Sequence, residues 1–559
     1  MKNAILILTL VLLGSRCTER RNSMEIQLQQ FINQHVKVVE PLMKQVNLSY
    51  WKATISGKEE DYKHYADLSL KLRQVYSNRQ EFEQLKKFKA SGQIHEPLLR
   101  RQLTILYNSY LENQIDPELI KAMVQKSTAV ESKFNTFRGK IGTKEVTNNQ
   151  ILQILRTEKN SQERKAAWEA SKQIGPVVTP ELLELVKLRN QAARSLGFDN
   201  FYVMSLTLAE QDEDELVTIF QQLEDLTNEP FRRLKAELDS VLAKRYGIQP
   251  EEMRPWHYED PFFQEAPKIG QINLDRYFKN KDIVELARLY YRGIDLPADD
   301  ILEHSDLFEK PGKDQHAYCT DIDRLGDVRI LANIRHDEYW MSTMLHELGH
   351  AVYDKYIDRD LPFLLRTPAH TFVTEAVAMF FGRLSRNPDW LQQMLNLDNA
   401  ERAKLAQEIK KDLQLQQLIF ARWCQVMFHF ERQLYENPAQ DLNKLWWDLV
   451  EKYQYVTRPT NRHQPDWAAK IHICSAPVYY HNYMLGEMLA SQFYYYILTK
   501  VLNLKPHESV SFANAPAIGH YFRYKVFAPG AKYIWRELIK QATGEPLTAR
   551  YFVRQFVSQ

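Results

Sequence analysis

Residues 341–357, MSTMLHELGHAVYDKYI, constrain this chain more than any other segment. Met341, Met344, Leu345, Leu348 and Val352 recur at helical spacing and predict an amphipathic helix. On it His346 and His350 stand four positions apart and share a face. Two imidazoles stacked one turn apart can reach a single Zn²⁺ at about 2.0–2.1 Å. Glu347, beside the first imidazole, is placed to take a proton from water at such a metal. Chance would also place HExxH now and then among 16 histidines in 559 residues, but here the motif sits in a regular apolar periodicity.

A catalytic zinc needs a third protein ligand and one open position. The metzincin continuation wants Gly three residues after the second His, and Tyr353 stands there instead. A second helix is the alternative. Residues 371–384, TFVTEAVAMFFGRL, are strongly apolar and carry one carboxylate, Glu375. A lone carboxylate is costly to bury unless a cation meets it, and zinc would be that cation. A solvent-facing Glu or a buried salt bridge would account for the residue as well. Asp354, Asp358 and His370 compete as ligands, although Asp358 and Asp360 read as surface loop charges.

The rest of the chain sets the frame. Gly is scarce, at 18 of 559 residues, and few segments alternate as strands do, so a mainly α fold is expected. Residues 25–250 read as successive amphipathic helices, for example 24–46, 61–75 and 180–196, the last ended by Gly197. Residues 254–267, with Pro255, Pro261 and Pro267 among aromatics, form an ordered connector. Residues 327–333, DVRILAN, are the best candidate strand, a small β element near the motif. From Tyr339 onward the pattern is helical again. Residues 24–559 are expected to form one catalytic domain with two lobes around a deep cleft. With 73 basic and 71 acidic residues, net charge +2, nothing favours nucleic acid as the partner.

The N-terminus reads as a targeting leader. Lys2 precedes an apolar run over 4–13, too short to span a bilayer comfortably, and residues 1–17 are taken as a signal peptide. Export is expected, to the periplasm, the medium or a membrane surface. Cys17 is a candidate lipidation site, and a lipid there would be the only membrane attachment; Arg16 before it is a poor fit to processing. Cys319, Cys424 and Cys474 remain, an odd number without metal-like spacing. A Cys319–Cys474 bridge is conceivable, but buried free thiols are the simpler reading.

Taken together, HELGH at 346–350, Asp360-Leu361-Pro362 and Thr374-Glu375-Ala376 resemble the peptidyl-dipeptidase A family of gluzincin metallopeptidases, that of angiotensin-converting enzyme. The similarity continues in His316-Ala317 and Asp327-Val328-Arg329-Ile330. It resumes in Trp446-Trp447 with Lys452-Tyr453-Gln454, then in Lys470-Ile471-His472, Tyr480, Tyr483 and Gln492-Phe493. It covers residues 316–495, with a weaker trace upstream in Asn190-Gln191-Ala192-Ala193-Arg194. Oligoendopeptidases of the thimet type share the zinc helices and a Tyr-rich segment.

Carried over by position, the resemblance implies one Zn²⁺ held by His346, His350 and Glu375, with Glu347 as general base and later acid. Tyr483 and His472 would donate hydrogen bonds to the oxyanion. His316 and the backbone of Ala317 would hold the substrate main chain, and Lys470 and Tyr480 its terminal carboxylate. The substrates implied are oligopeptides shortened by C-terminal dipeptides. An endopeptidase and an inactive peptide-binding homologue are the rival readings. Without the resemblance, His316 is a loop histidine, Lys470 a solvated charge, and Tyr480 and Tyr483 core residues among 29 tyrosines. Trp446 and Trp447 read as core.

Four departures stand out. The spacing from His472 to Tyr483 takes one extra residue between Pro477 and Tyr480. Asn482 and Val450 stand where chloride-responsive members have arginines. Met379 replaces the acid expected four residues after the ligand Glu, so the orienting of a ligand histidine must pass to another group or be lost. The glutamine that completes the carboxylate grip has no match near Trp256-His257-Tyr258.

Overall fold

The computed structural model describes residues 23–557 except 271, so the leader and Cys17 lie outside the described residues. Helices dominate, the longest being Ser23–Ser56, Glu213–Tyr246 and Asn399–Glu436. Among the described residues no helix is long and apolar enough to cross a membrane. The helix expected over 24–46 continues to Ser56 with Pro41 inside it. That expected over 61–75 spans Glu59–Tyr76. The helix expected to start at Pro180 begins earlier, at Ile174, and carries Pro180 within it. Gly197 then takes a left-handed φ of +89° just past its end.

The run of helices in the first half is broken by a small antiparallel pair, Gly139–Ile141 with Lys144–Val146. Each strand has three residues, too few to reveal an alternating pattern. Residues 254–267 form an irregular connector. It contains the 3₁₀ turn Pro255–His257 and left-handed Glu259 and Phe263. The Asp260 carboxylate fixes it by accepting the Phe262 and Gln264 backbone N–H groups at 2.8 and 3.0 Å.

The strand expected over 327–333 is Val328–Leu331, and it pairs antiparallel with Tyr318–Asp321, Tyr318 opposite Leu331. The second strand, YCTD, is half-buried at every position, so no alternation announces it. The first helix braces it: Asn47 Nδ2 donates to the carbonyls of Asp321 and Ile322, and Thr54 Oγ1 lies 2.6 Å from the Tyr318 hydroxyl.

One apolar cluster runs from Val130 to Phe556 and contains both helices of the predicted metal site; Trp446 and Trp447 belong to it. A second cluster, including Leu28, Leu99 and Tyr110, joins the N-terminal helices to Phe363 and Leu364. The motif helix Glu338–Lys355 starts where the Asp337 side chain accepts the Trp340 N–H. It crosses the return helix Thr371–Gly382 at Gly349, where a Cβ would come within 2.8 Å of Ala378 Cα. The return helix is in turn packed on the tyrosine-rich helix His481–Tyr496, where a Cβ on Gly486 would stand 3.1 Å from Met379 Sδ.

Backbone stands opposite Gly349, and backbone cannot swing aside as a flexible side chain can. Gly349→Ala should therefore lower the stability of the chelated protein by about 1–3 kcal/mol in urea unfolding, the usual range for overpacking. An unchanged midpoint would contradict the packing described here.

Candidate active site

The helix crossing brings three groups together. His346 Nε2 lies 3.6 Å and His350 Nε2 3.9 Å from Glu375 Oε2. All three ligand atoms fall within 4.8 Å of one another. Tetrahedral zinc with bonds of about 2.0–2.1 Å needs ligand atoms roughly 3.3–3.5 Å apart, so small side-chain adjustments suffice. Burial holds both imidazoles neutral, His346 down to about 4 and His350 to about 3, the second helped by its neighbour. Neutral imidazole is the form that coordinates. Burial also pushes the Glu375 carboxyl up to about 7. Among the described residues no Lys or Arg pairs with this carboxylate, and the donor set fits a divalent ion.

Glu347 is buried beside this triad. Desolvation first, then the Glu375 charge, raises its carboxyl to about 8, opposed by the Cys319 N–H that it accepts. The strand thus anchors the carboxylate. A cavity of about 490 Å³ opens over these groups, walled on one side by Ala317, Tyr318 and Cys319.

The competing ligands are disposed of by their surroundings. His370 caps the return helix by accepting the Phe372 N–H and also bonds the Ala209 backbone, so its ring is committed. Asp358 is exposed and caps its own turn at Asp360. Asp354 lines the cavity one turn past His350 but lies outside the three-atom cluster. Cys319 borders the cavity while Cys474 faces Ser127, and both thiols are free, so the conceivable bridge is absent.

The remaining predicted residues form a second group. Lys470, 8% exposed, points its ammonium at the rings of Phe262, Trp423 and Tyr480, each centroid within 5.6 Å. Burial lowers it to about 8. Its hydrogen-bond acceptor is Gln264 Oε1 at 2.5 Å. Tyr480 accepts the Trp423 indole N–H at 2.7 Å and packs edge-on against His472 and Tyr483. His472 Nδ1 is buried without a partner. Tyr483, like Tyr479, feels the negative charge of Glu375, which links this group to the triad. His316 stands apart, its side chain 94% exposed and paired with Asp314.

Sequence reasoning missed Gln264 and Tyr479. Gln264 lies six residues past the stretch searched for the third carboxylate-gripping residue, across the irregular turn built on Asp260. Nothing in its immediate sequence marks it. Tyr479 was indistinguishable within an aromatic run.

The turn before the tyrosine helix is held from beneath. Val478 takes a left-handed φ of +56°, uncommon for a β-branched residue, inside the stretch where one extra residue was expected. Its N–H is accepted at 2.7 Å by Glu431, 3% exposed. Arg189 fixes the preceding turn through the carbonyls of Ile473 and Cys474. Asn482 is tied to Gln211, which also meets His481.

Paired imidazoles, a carboxylate from a crossing helix and a buried glutamate beside the first imidazole, on a mainly helical frame, define a gluzincin metallopeptidase. The sequence profile described as angiotensin-converting enzyme matches residues 22–257 and 263–556. The chain belongs to the angiotensin-converting enzyme family. The break in the match, residues 258–262, falls on the connector just before Gln264. Angiotensin-converting enzyme of Rattus norvegicus is 23% identical over 433 residues, 71% of this chain and 32% of that protein. That of the leech Theromyzon tessulatum is 20% identical over 414 residues, 66% of this chain and 64% of its own. Thermostable carboxypeptidase 1 of Pyrococcus furiosus is 32% identical over 120 residues, 21% of this chain and 23% of that protein. The matched stretch thus spans about a third of the rat relative and under two thirds of the leech one.

Burial raises Glu431 to about 8 from an ordinary 4.5. The folded state therefore keeps a proton that the unfolded chain releases, and the stability from this group is lost as pH rises between those values. Glu431→Gln, which preserves the acceptor for Val478, should unfold with a flatter pH dependence from about pH 4.5 to 8. Parallel profiles for the two proteins would refute this assignment.

Proposed function

We propose that this chain is a zinc peptidase that removes dipeptides from the free C-termini of oligopeptides. The observation that carries the reading is the buried ammonium of Lys470, flanked by Gln264 and Tyr480, with Tyr483 beside Tyr480 feeling the charge of Glu375. A fixed cation with neutral hydrogen-bonding neighbours reads a carboxylate.

His346, His350 and Glu375 would hold the zinc. When bound, the metal supplies Lewis acidity, making water nucleophilic near neutral pH and polarising the scissile carbonyl. Glu347 takes the proton released by the attacking water and returns it to the departing amine. The raised affinity of its carboxyl for protons suits both steps. The Tyr483 hydroxyl and the His472 ring, whose Nδ1 is buried without a partner, donate toward the oxygen on which charge develops. Such donors contribute about 2.7–4 kcal/mol each. The backbone of Ala317, at the cavity wall, and the exposed imidazole of His316 hold the peptide main chain beside the strand. Lys470, Tyr480 and Gln264 bind the terminal carboxylate, which sets the length of the fragment released.

Mass analysis of products from one peptide with a free and with an amidated C-terminus tests the reading. The free form should yield dipeptides in a chelator-sensitive reaction, and Lys470→Ala should slow its cleavage while leaving the amidated form unaffected. Equal rates on both forms would point to an endopeptidase. Unimpaired turnover by Glu347→Gln would remove the catalytic assignment altogether.

Chloride should have little effect. Asn482 is neutral and its side-chain oxygen is occupied by Gln211, and Val450 offers no charge. A several-fold rise in turnover on adding chloride would contradict this.

A further inference from the structure

We propose that Thr374 is the positioning residue that fixes the tautomer of His350, a role the resemblance assigns to an acid at position 379. The inference rests on the zinc reading above. His350 Nδ1 lies 2.8 Å from Thr374 Oγ1, while Nε2 of the same ring faces Glu375. For Nε2 to present its lone pair to a metal, the ring proton must sit on Nδ1, and Nδ1–H needs an acceptor. The threonine oxygen is that acceptor.

Its position on the chain explains why a hydroxyl serves. Thr374 directly precedes Glu375 in the first turn of the return helix, so one turn of backbone delivers both a ligand and the support of another ligand. The residue one turn further on, Met379, is turned to a different task. Its sulfur packs against Gly486 of the tyrosine-rich helix, where even a Cβ would come within 3.1 Å. A carboxylate in that apolar contact would be buried at high cost. It would also put a second negative charge one turn from Glu375. Moving the support from an acid at position 379 to a hydroxyl at 374 keeps the ring oriented without that charge.

Outer partners of metal-bound histidines typically contribute 10–100-fold to metal affinity. The test is zinc affinity itself, measured by competition with a chromophoric chelator on the full chain. Thr374→Val has nearly the shape of threonine but no acceptor, and should weaken binding by about 10–100-fold. Thr374→Ser, which restores the oxygen, should bind close to wild type. Thermal unfolding of the chelated proteins checks that the variants fold, and Thr374→Ala carries the same expectation should Thr374→Val not fold. Wild-type affinity in the folded valine or alanine variant would overturn the inference while leaving the zinc reading intact. Failure of the wild type to bind stoichiometric zinc would overturn both.

Discussion

Everything in this protein is arranged around a cluster that is unfavourable by itself. Two imidazoles kept neutral by burial and a carboxylate whose charge is poorly solvated are forced within 4.8 Å of one another. Among the described residues no Lys or Arg pairs with Glu375, so the cost of assembling the cluster falls on helix packing. The contact between the motif helix and the return helix meets that cost. It is close because Gly349 has no side chain to hold the backbones apart, and it belongs to the larger of the two apolar clusters described for the fold. The same helix face that builds the core thereby aims the histidines.

A second constraint comes from the tyrosine-rich helix, which packs on the return helix through Met379 and Gly486. It carries Tyr483 toward Glu375 and holds Tyr480 against Lys470. The turn that feeds it is irregular, with a left-handed Val478 held by a buried acid, and Arg189 clamps the turn before it. Tyr480 and Tyr483 are thus placed by groups more than forty residues away in sequence. Replacement of an acid by Met379 and of arginines by Asn482 and Val450 is consistent with one theme. Charges that relatives are expected to bury are here exchanged for neutral contacts, with Thr374 and Gln211 completing the hydrogen bonds.

Much of this was legible before any coordinates. The histidine pair and its glutamate lie within five consecutive residues, and helical periodicity alone puts the two histidines on one face. Glu375 was legible because a single acid in an apolar helix demands a partner. Helix existence followed from periodicity, although the ends shifted where Pro41 and Pro180 were carried inside helices. The strand Val328–Leu331 was found, whereas its partner Tyr318–Asp321 was not, since four half-buried residues show no alternation. Gln264 escaped because its proximity to Lys470 depends on an irregular turn with two left-handed residues, which no local pattern encodes.

The sequence by itself determined the chemistry available: which residues can ligate a metal, which can move a proton, and that the frame is helical. These depend on side-chain type and on spacings within one or two turns, where backbone geometry is fixed by hydrogen bonding along the chain. The tertiary structure alone decided which distant groups meet. It set Thr374 against His350, Gln264 against Lys470, and His370 outside the three-residue cluster as a helix cap. Such pairings depend on how helices cross, and crossings are settled by packing over the whole core, to which each residue contributes only a small part.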